Sequence, residues 1–342
     1  MVQINRTQKK IRRFFSQVRY AEKRRTLKWK LRKKSKKETA RRVKFQREYN
    51  AKLPPVTLIA PKNFSLVENA NAVLKYFSDA EKKLKFGQVV FLDISKVTRM
   101  TPDTVALMAA SINSKEFHHA SNVTGNAPEA LAPNALFIES GFYDHVITPG
   151  FFTIGAENMM HRGMDTKVLG TVVKKASIIG TEHVFGNAKP LDPLYNTLVE
   201  CMSNTHSHAD LTGLGKCNWW LFVYSDPKEK ITSYTFIDLG VGIFESAVVK
   251  GPVQKFMKKT PFFDNMILAD ELLAGRLKSR SKKDTALRGK GIPQINEDAN
   301  NTIFRSFYIL ANDVKIDLKT KKKERLQYPL NGTLLHWELQ NV

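Results

Sequence analysis

Glu200 and Asn204 are the residues whose types and spacing most directly suggest chemistry. They are four positions apart in the segment Glu200-Cys-Met-Ser-Asn204. On a helix this spacing places a carboxylate and an amide on the same side, one turn apart. A carboxylate can accept a proton from a reacting group, and an amide oxygen can bind a hard cation. This spacing is common on helices, so the pair becomes informative only together with the segments that follow it.

Two glycine-containing segments follow this pair in the chain. In Asp238-Leu-Gly240-Val-Gly242, the glycines allow the backbone to approach a ligand without a clash from a Cβ atom. The second segment is Arg288-Gly289-Lys290-Gly291, followed by Ile-Pro. A glycine-rich turn that leads into a helix N-terminus is suited to holding phosphates, and Arg288 and Lys290 add positive charge. Each segment alone is a common pattern, and it is their order after Glu200 and Asn204 that makes them informative.

The surrounding pattern predicts the elements that must position these residues. In the C-terminal half we expect helices over 194–208 and from 293, a hairpin of strands 218–225 and 230–238, and strands 302–311 and 333–339. Asn331-Gly332 predicts a turn before the last strand. In the N-terminal half, strands at 56–60 and 88–93 alternate with helices at 66–84, 103–112 and 134–142. Such alternation predicts an open α/β sheet.

In their order along the chain, these segments and Thr333 resemble the ATP site of the GHKL (Bergerat-fold) superfamily, over residues 186–342. The resemblance implies an α/β sandwich with a mixed sheet and helices on one face. It implies Asn204 as a Mg²⁺ ligand, Glu200 as the base and Asp238 as the adenine acceptor. It also implies that the backbone at Gly240 and Gly242 approaches the nucleotide and that Thr333 supports the adenine pocket. The phosphates would lie against Arg288, Gly289, Lys290 and Gly291.

Residues 54–150 resemble a STAS domain, the fold of anti-sigma factor antagonists. The resemblance rests on Val89-Val-Phe-Leu-Asp93-Ile-Ser-Lys-Val-Thr98 and on Met100-Thr-Pro-Asp103-Thr104. The regulatory serine of that family is missing, and Thr101 or Thr104 stands nearby as a substitute or as a helix N-cap. The resemblance implies a protein partner for this domain. Residues 151–185 are expected to be a linking region that includes a strand of either domain.

The N-terminal 52 residues are strongly basic. The net charge is +23, and residues 1–50 contribute about +17 of it through 20 Lys and Arg against three Glu. Apolar residues with helical spacing, such as Ile11, Phe14, Phe15 and Val18, predict a helical arm that ends before Pro54-Pro55. Such an arm attracts polyanions, so we expect nucleic acid as its partner. An acidic protein partner and a solvated tail remain the alternatives.

The remaining composition limits the class of protein. The chain has two cysteines, Cys201 and Cys217, which we expect to be reduced thiols. It has no apolar run near the ~20 residues of a membrane span, and its first residues lack the apolar core of a secretory signal. We therefore expect a cytoplasmic protein with no membrane partner. The oligomeric state, a homo-oligomer included, stays open.

These inferences together predict a Mg²⁺-dependent ATP-binding and ATP-hydrolysing regulatory protein whose nucleotide state controls binding to a partner, with nucleic acid expected. The architecture suggests a nucleic-acid-associated sensor in a prokaryotic defence or stress system. Two alternatives stay open. One is a protein Ser/Thr kinase of the anti-sigma-factor type, and the other is an interaction module that holds ATP without hydrolysing it.

Overall fold

The computed structural model describes most of the chain in several segments. These are residues 37–114, 123–146, 158–163, 168–208, 218–226, 228–248, 264–276, 278–279 and 291–341, together with residues 29, 33, 35 and 117. The basic arm before residue 29 and the segment 280–290 lie outside them. Within the described part of the chain, no helix is both long and apolar enough to cross a membrane.

The N-terminal unit is a small α/β arrangement preceded by a helix over residues 37–50, here called α1. Its elements are β1 (Val56–Ile59), β2 (Asn63–Phe64), α2 (Leu66–Lys85), β3 (Val90–Asp93), β4 (Arg99–Met100), α3 (Pro102–Ile112), β5 (Val123–Gly125), α4 (Leu131–Glu139) and a 3₁₀ turn (Phe142–His145). Strands β1, β3 and β5 form a parallel sheet in that order, and β2 pairs with β4 in parallel. The alternation of strands and helices in the sequence thus predicts this unit correctly.

The C-terminal unit is built on a larger sheet. Its elements are β6 (Met159–Gly163), α5 (Gly170–Phe185), α6 (Asp192–His208), β7 (Trp219–Ser225), β8 (Ile231–Asp238), α7 (Ile243–Ser246), β9 (Ala247–Val248), α8 (Asn265–Leu273), β10 (Lys278–Ser279), α9 (Gly291–Asp298), β11 (Phe304–Asp317) and β12 (Lys323–Gln340). Five strands form one sheet in the order β11-β12-β8-β7-β6. Every pairing between its described strands is antiparallel, so the mixed sheet expected here is not observed.

Both faces of the large sheet are buried. Trp219, Leu221 and Val223 of β7 contribute to a core beneath helices α5, α6, α8 and α9. The alternate residues Trp220 and Phe222 point to the opposite face, as the two-residue repeat of a strand requires. There they pack with the apolar residues of α2, α3 and the small parallel sheet, so the N-terminal unit covers this face. This double burial explains why the strand reads as a continuous apolar run.

Residues 151–185 contribute a strand and a helix to the C-terminal unit. Strand β6 pairs with β7 at the edge of the large sheet, from Met159 opposite Val223 to Gly163 opposite Trp219. Helix α5 packs on the helix-covered face of the same sheet through Val173, Ala176 and Val184. The described part of this region therefore extends the large sheet.

The prediction of a turn at Asn331-Gly332 is wrong. These two residues lie within β12, where they bulge between Leu330, which pairs with Asn312, and Thr333, which pairs with Ala311. Gly332 has φ +137°, and a Cβ there would be only 2.0 Å from the backbone oxygen of Asp238. Because β12 pairs with both β8 and β11, these two residues form a bulge within the strand instead of a turn. The chain reverses instead at residues 318–322, between β11 and β12.

Candidate functional site

Helix α6 presents Glu200 and Asn204 at the edge of its buried face. Leu194, Leu198 and Cys201 recur at helical spacing and pack onto the large sheet. Glu200 and Asn204 lie beside this apolar stripe and are both half-buried. The helical spacing in the sequence therefore correctly predicts that the carboxylate and the amide share one side of the helix.

Gly291 brings the start of α9 directly against this pair. A Cβ at Gly291 would lie 2.6 Å from Asn204 Oδ1, 2.8 Å from Asn204 Nδ2 and 3.0 Å from Glu200 Oε2. At distances this short, a methyl group at this position would displace the ends of the Asn204 and Glu200 side chains, so glycine preserves their placement. The structure thus joins three of the expected site residues. The neighbouring Arg288, Gly289 and Lys290 lie outside the described residues.

Asp238, the last residue of β8, and Thr333, in the middle of the adjacent strand β12, form a second part of the site. They are register partners in β8 and β12. Burial raises the pKa of Asp238 to about 7. The Thr333 hydroxyl and the Gly240 backbone N–H act as donors toward this carboxyl and lower its pKa, but they only partly offset the cost of desolvating the charge. Asp238 is thus a buried acid with no cation paired to it among the described residues.

Cys201 connects the two parts of the site. Phe236 packs beneath the helices that cover the sheet. Asp238 lies two positions further along the same strand, so its side chain is on the same face, toward α6. The Cys201 thiol is fully buried, and its pKa is raised first by burial and then by the charges of Glu200 and Asp238. Both carboxyls are therefore near this thiol, on one side of the sheet. The thiol stays protonated at neutral pH, and Cys217 lies outside the described residues.

Asn312 holds the turn that follows Asp238. Its Nδ2 donates to the Val241 carbonyl at 2.9 Å, and its Oδ1 accepts from the Phe244 N–H at 3.3 Å. Gly242 has φ +79°, and a Cβ there would be 2.4 Å from Asn312 Oδ1. Asn312 itself has φ +50°, a conformation that Asn tolerates better than most residues. This contact could not be predicted from the sequence, because Asn312 is distant from the turn in the chain.

Asp298, at the end of α9, is a second residue that sequence reasoning missed. Burial raises the pKa of Glu200, and the charge of Asp298 raises it further. The pKa of Asp298 is itself raised by burial. Its Oδ1 accepts from Gln294 Nε2 at 3.2 Å, whereas its Oδ2 is buried and has no hydrogen-bond partner among the described residues. A carboxylate whose pKa is raised in this way is better suited to accepting a proton near neutral pH.

The polar groups of this site leave hydrogen-bonding capacity for a ligand. Among the described residues the Asn204 Nδ2, a buried N–H donor, has no hydrogen-bond partner, so it can donate to an acceptor such as a phosphate oxygen. Asp238 offers a buried acceptor of the kind that an exocyclic amine requires. Gly291 keeps the start of α9 free of side-chain bulk beside Glu200 and Asn204.

The polar residues at the start of α3 do not form an accessible hydroxyl site at Thr104. Thr104 is fully buried, and so is Asp103. Asp103 Oδ2 accepts from the backbone N–H groups of Leu66 and Val67, and so it caps α2 rather than its own helix. Thr101 occupies the N-cap position of α3 but makes no side-chain capping bond. The expected capping role of these threonines is therefore not observed.

The comparisons with known proteins give no family assignment. No protein-family model matches this chain, and no curated protein matches it significantly. The structure itself defines a mixed α/β protein with parallel and antiparallel sheets.

Proposed function

We propose that this chain is a Mg²⁺-dependent ATP-binding and ATP-hydrolysing regulatory protein, of the GHKL type, that couples its nucleotide state to binding of nucleic acid through residues 1–52. The main support is the packing of Gly291 against Glu200 and Asn204. This packing occurs on the same side of the sheet as the buried pair Asp238 and Thr333. A glycine-led helix N-terminus, a carboxylate, an amide and a buried acceptor are the groups that such a site needs.

Each residue has a defined role in this proposal. Asp238, held by Thr333 and Gly240, accepts a hydrogen bond from the adenine amine. Asn204 supplies an amide oxygen to Mg²⁺, and this cation neutralises phosphate charge when it is bound. Glu200 accepts a proton from the attacking water, and its raised pKa favours that role. The Asn312 side chain fixes the turn that contains Gly240 and Gly242.

The packing of the two units supports coupling between the site and the N-terminal unit. Helix α3 packs against β7 and β8, and Asp238 is the last residue of β8. Helix α2 packs against β12, which contains Thr333. A change in the position of the N-terminal unit would therefore act on the two strands that hold the adenine acceptor. This contact also offers a route for a protein partner of the STAS-like domain.

Incubation of the purified chain with γ-labelled ATP and Mg²⁺ tests the proposal. We expect labelled phosphate to be released. Glu200→Gln should bind ATP but hydrolyse it at least about 100-fold more slowly. Asn204→Ala should lose Mg²⁺-dependent binding, whereas Asn196→Ala, at an exposed amide on the same helix, should match the wild type.

The products distinguish the alternatives. Label on a protein side chain would identify the kinase, and tightly bound, unhydrolysed ATP would identify the interaction module. Failure of the wild type to bind ATP would remove the proposal. Addition of nucleic acid to the same assay tests the coupling, since we expect it to change the rate of phosphate release.

A further inference from the structure

Helix α1 exposes two aromatic side chains on one face. Phe45 is 72% exposed and Tyr49 is 55% exposed, and they are one helical turn apart. Arg41 stands one further turn toward the N-terminus on the same face, with Arg42 beside it, and both are exposed. Large exposed aromatic side chains that lie together on a helix mark a surface for a partner.

The opposite side of α1 is fixed to the N-terminal unit. Asn50 is buried, and its Nδ2 donates to the Phe86 carbonyl at 2.7 Å. Arg47 Nε donates to the Lys85 carbonyl at 3.2 Å. Gly87, with φ +77°, allows the helix backbone to approach, because a Cβ there would be 2.8 Å from Arg47 Cα. These contacts hold α1 in place, so the aromatic face is presented in a fixed direction.

The charge around this face favours an anionic partner. Arg42 and Lys44 form ion pairs with Glu38 and Glu48 at 3.7 and 3.8 Å, but all four side chains remain largely exposed. Such pairs contribute little and are readily exchanged for phosphate contacts. The arm before α1 adds most of the positive charge of the chain. An acidic polymer therefore fits this helix better than a neutral or basic one.

The aromatic rings narrow the choice of polymer. A duplex presents phosphates and groove edges, whereas a single strand presents unpaired bases that can stack on exposed rings. We infer that the face formed by Arg41, Phe45 and Tyr49 binds single-stranded nucleic acid, with bases stacked on the two rings and phosphates held by the arginines. This inference rests on the proposed nucleic-acid binding of the arm and specifies its form and its residues.

Fluorescence anisotropy on the full chain tests the inference, with labelled 20-nucleotide oligo(dT), oligo(U) and a duplex of the same length as probes. Phe45→Ala and Tyr49→Ala should each weaken single-strand binding about five- to tenfold. Duplex binding should change less than about twofold. Arg41→Gln should weaken binding to all probes and reduce the salt dependence by about one counterion. Tyr195→Ala, at an exposed tyrosine of α6, is the matched control and should have no effect.

The outcomes distinguish failure of base stacking on α1 from failure of the proposed nucleic-acid binding itself. Stacking would be overturned if Phe45→Ala and Tyr49→Ala bind the single strand as tightly as the wild type does. It would also be overturned if the two variants lose affinity equally for single strand and duplex. In either case the electrostatic role of the arm would stand. No binding of any oligonucleotide by the wild type would overturn both the inference and the nucleic-acid part of the proposed function. Binding of a fluorescent ATP analogue to the same preparations reports on the nucleotide site independently.

Discussion

At the scale of single residues, Asp238 has a strongly raised pKa compared with the other carboxyl groups of the described residues. It is buried at the end of β8, and its pKa lies at about 7 because desolvation outweighs the two donors that hold it. A carboxyl group in this state costs stability when it ionises. Natural chains keep such costs mainly where a ligand needs the group. The position of Asp238 beside Thr333 is consistent with that interpretation.

Asp238→Asn should change the pH dependence of stability. The folded state retains the Asp238 proton from about pH 4 to pH 7 while the unfolded state loses it, so this residue lowers wild-type stability progressively over that range. Below pH 4 the cost is absent, and above pH 7 it reaches its limit. The free energy of unfolding of the variant relative to wild type should therefore rise by up to about 4 kcal/mol between pH 4 and pH 8. Urea denaturation at several pH values measures this difference.

The control for this prediction is Glu182→Gln, at an exposed carboxyl on α5. Its stability relative to wild type should change much less over the same pH range. A constant difference between Asp238→Asn and wild type at all pH values would show that Asp238 is not a perturbed acid. The variant should also lose ATP binding, since the Asn side chain places an amide NH₂ where an acceptor oxygen stood.

Gly291→Ala should separate function from folding. The new methyl group would contact the ends of the Asn204 and Glu200 side chains at 2.6 to 3.0 Å. These flexible ends can move aside, so we expect a stability loss within about 1 kcal/mol. Their displacement should weaken Mg²⁺-dependent ATP binding about tenfold or more. Gly170→Ala is the matched control, because Gly170 also begins a helix but has no neighbouring atom within 4 Å of the added methyl group. Equal ATP affinity of the two variants would contradict the role of Gly291.

At the scale of elements, the site depends on one turn and the strand that supports it. Residues 239–242 carry the chain from β8 into α7, and Asn312 of β11 holds this turn from the side. Asn312 lies next to the bulge of β12 at Asn331-Gly332, where the strand pairing shifts. The bulge and the positive φ of Asn312 thus occur together, next to the backbone of Asp238.

Substitution of Asn312 should loosen the turn. Asn312→Gly removes both hydrogen bonds but keeps a backbone that accepts positive φ, whereas Asn312→Ala also strains the backbone. Both variants should weaken ATP binding about tenfold, and Asn312→Ala should lose about 1 kcal/mol more stability than Asn312→Gly. Titration with a fluorescent ATP analogue and urea denaturation give the two quantities. Wild-type affinity in Asn312→Gly would exclude a role for the side chain in holding the turn.

The sequence predicts elements better than it predicts their contacts. The spacing of hydrophobic residues predicts α6, and the turn residues predict the β7–β8 hairpin. Both elements are determined by residues that are close in the chain. The same chemistry fails at Asn331-Gly332, where positive φ suits a bulge as well as a turn and distant strands decide between them. Asp298 and Asn312 could not be predicted as site residues. Their relevance arises only from packing between elements that are distant in sequence.

At the scale of the whole molecule, the two units share a core rather than meet at a polar surface. Phe222 and Trp220 of β7 pack among the apolar residues of α2 and α3. Lys315 of β11 donates to the Val67 carbonyl, and Gln327 N–H donates to Asn71 Oδ1 at 2.7 Å. An interface of this kind resists independent motion of the units. A force on α2 is therefore transmitted to the sheet that contains Asp238 and Thr333.

Because α1 is fixed to the end of α2, nucleic acid on α1 and ATP on the sheet should influence one another. If ATP changes the affinity for nucleic acid by some factor, nucleic acid must change the affinity for ATP by the same factor. Asn50→Ala removes the bond between Asn50 and the Phe86 carbonyl and should loosen this connection. Each ligand alone should bind the variant with an affinity within about threefold of the wild-type affinity. The factor by which each ligand changes the affinity for the other should fall toward one.

Thr39→Ala is the control for this prediction, because the Thr39 hydroxyl donates to the Ser35 carbonyl four residues earlier in the chain rather than to α2. It should preserve the coupling. Titration of each ligand in the presence and absence of the other measures the factor in both directions, and agreement between the two directions checks the measurement itself. If Asn50→Ala keeps the full factor, the signal does not pass through the α1–α2 contact. If the wild type itself shows a factor of one, the shared core does not couple the two ligands, and the two sites act independently.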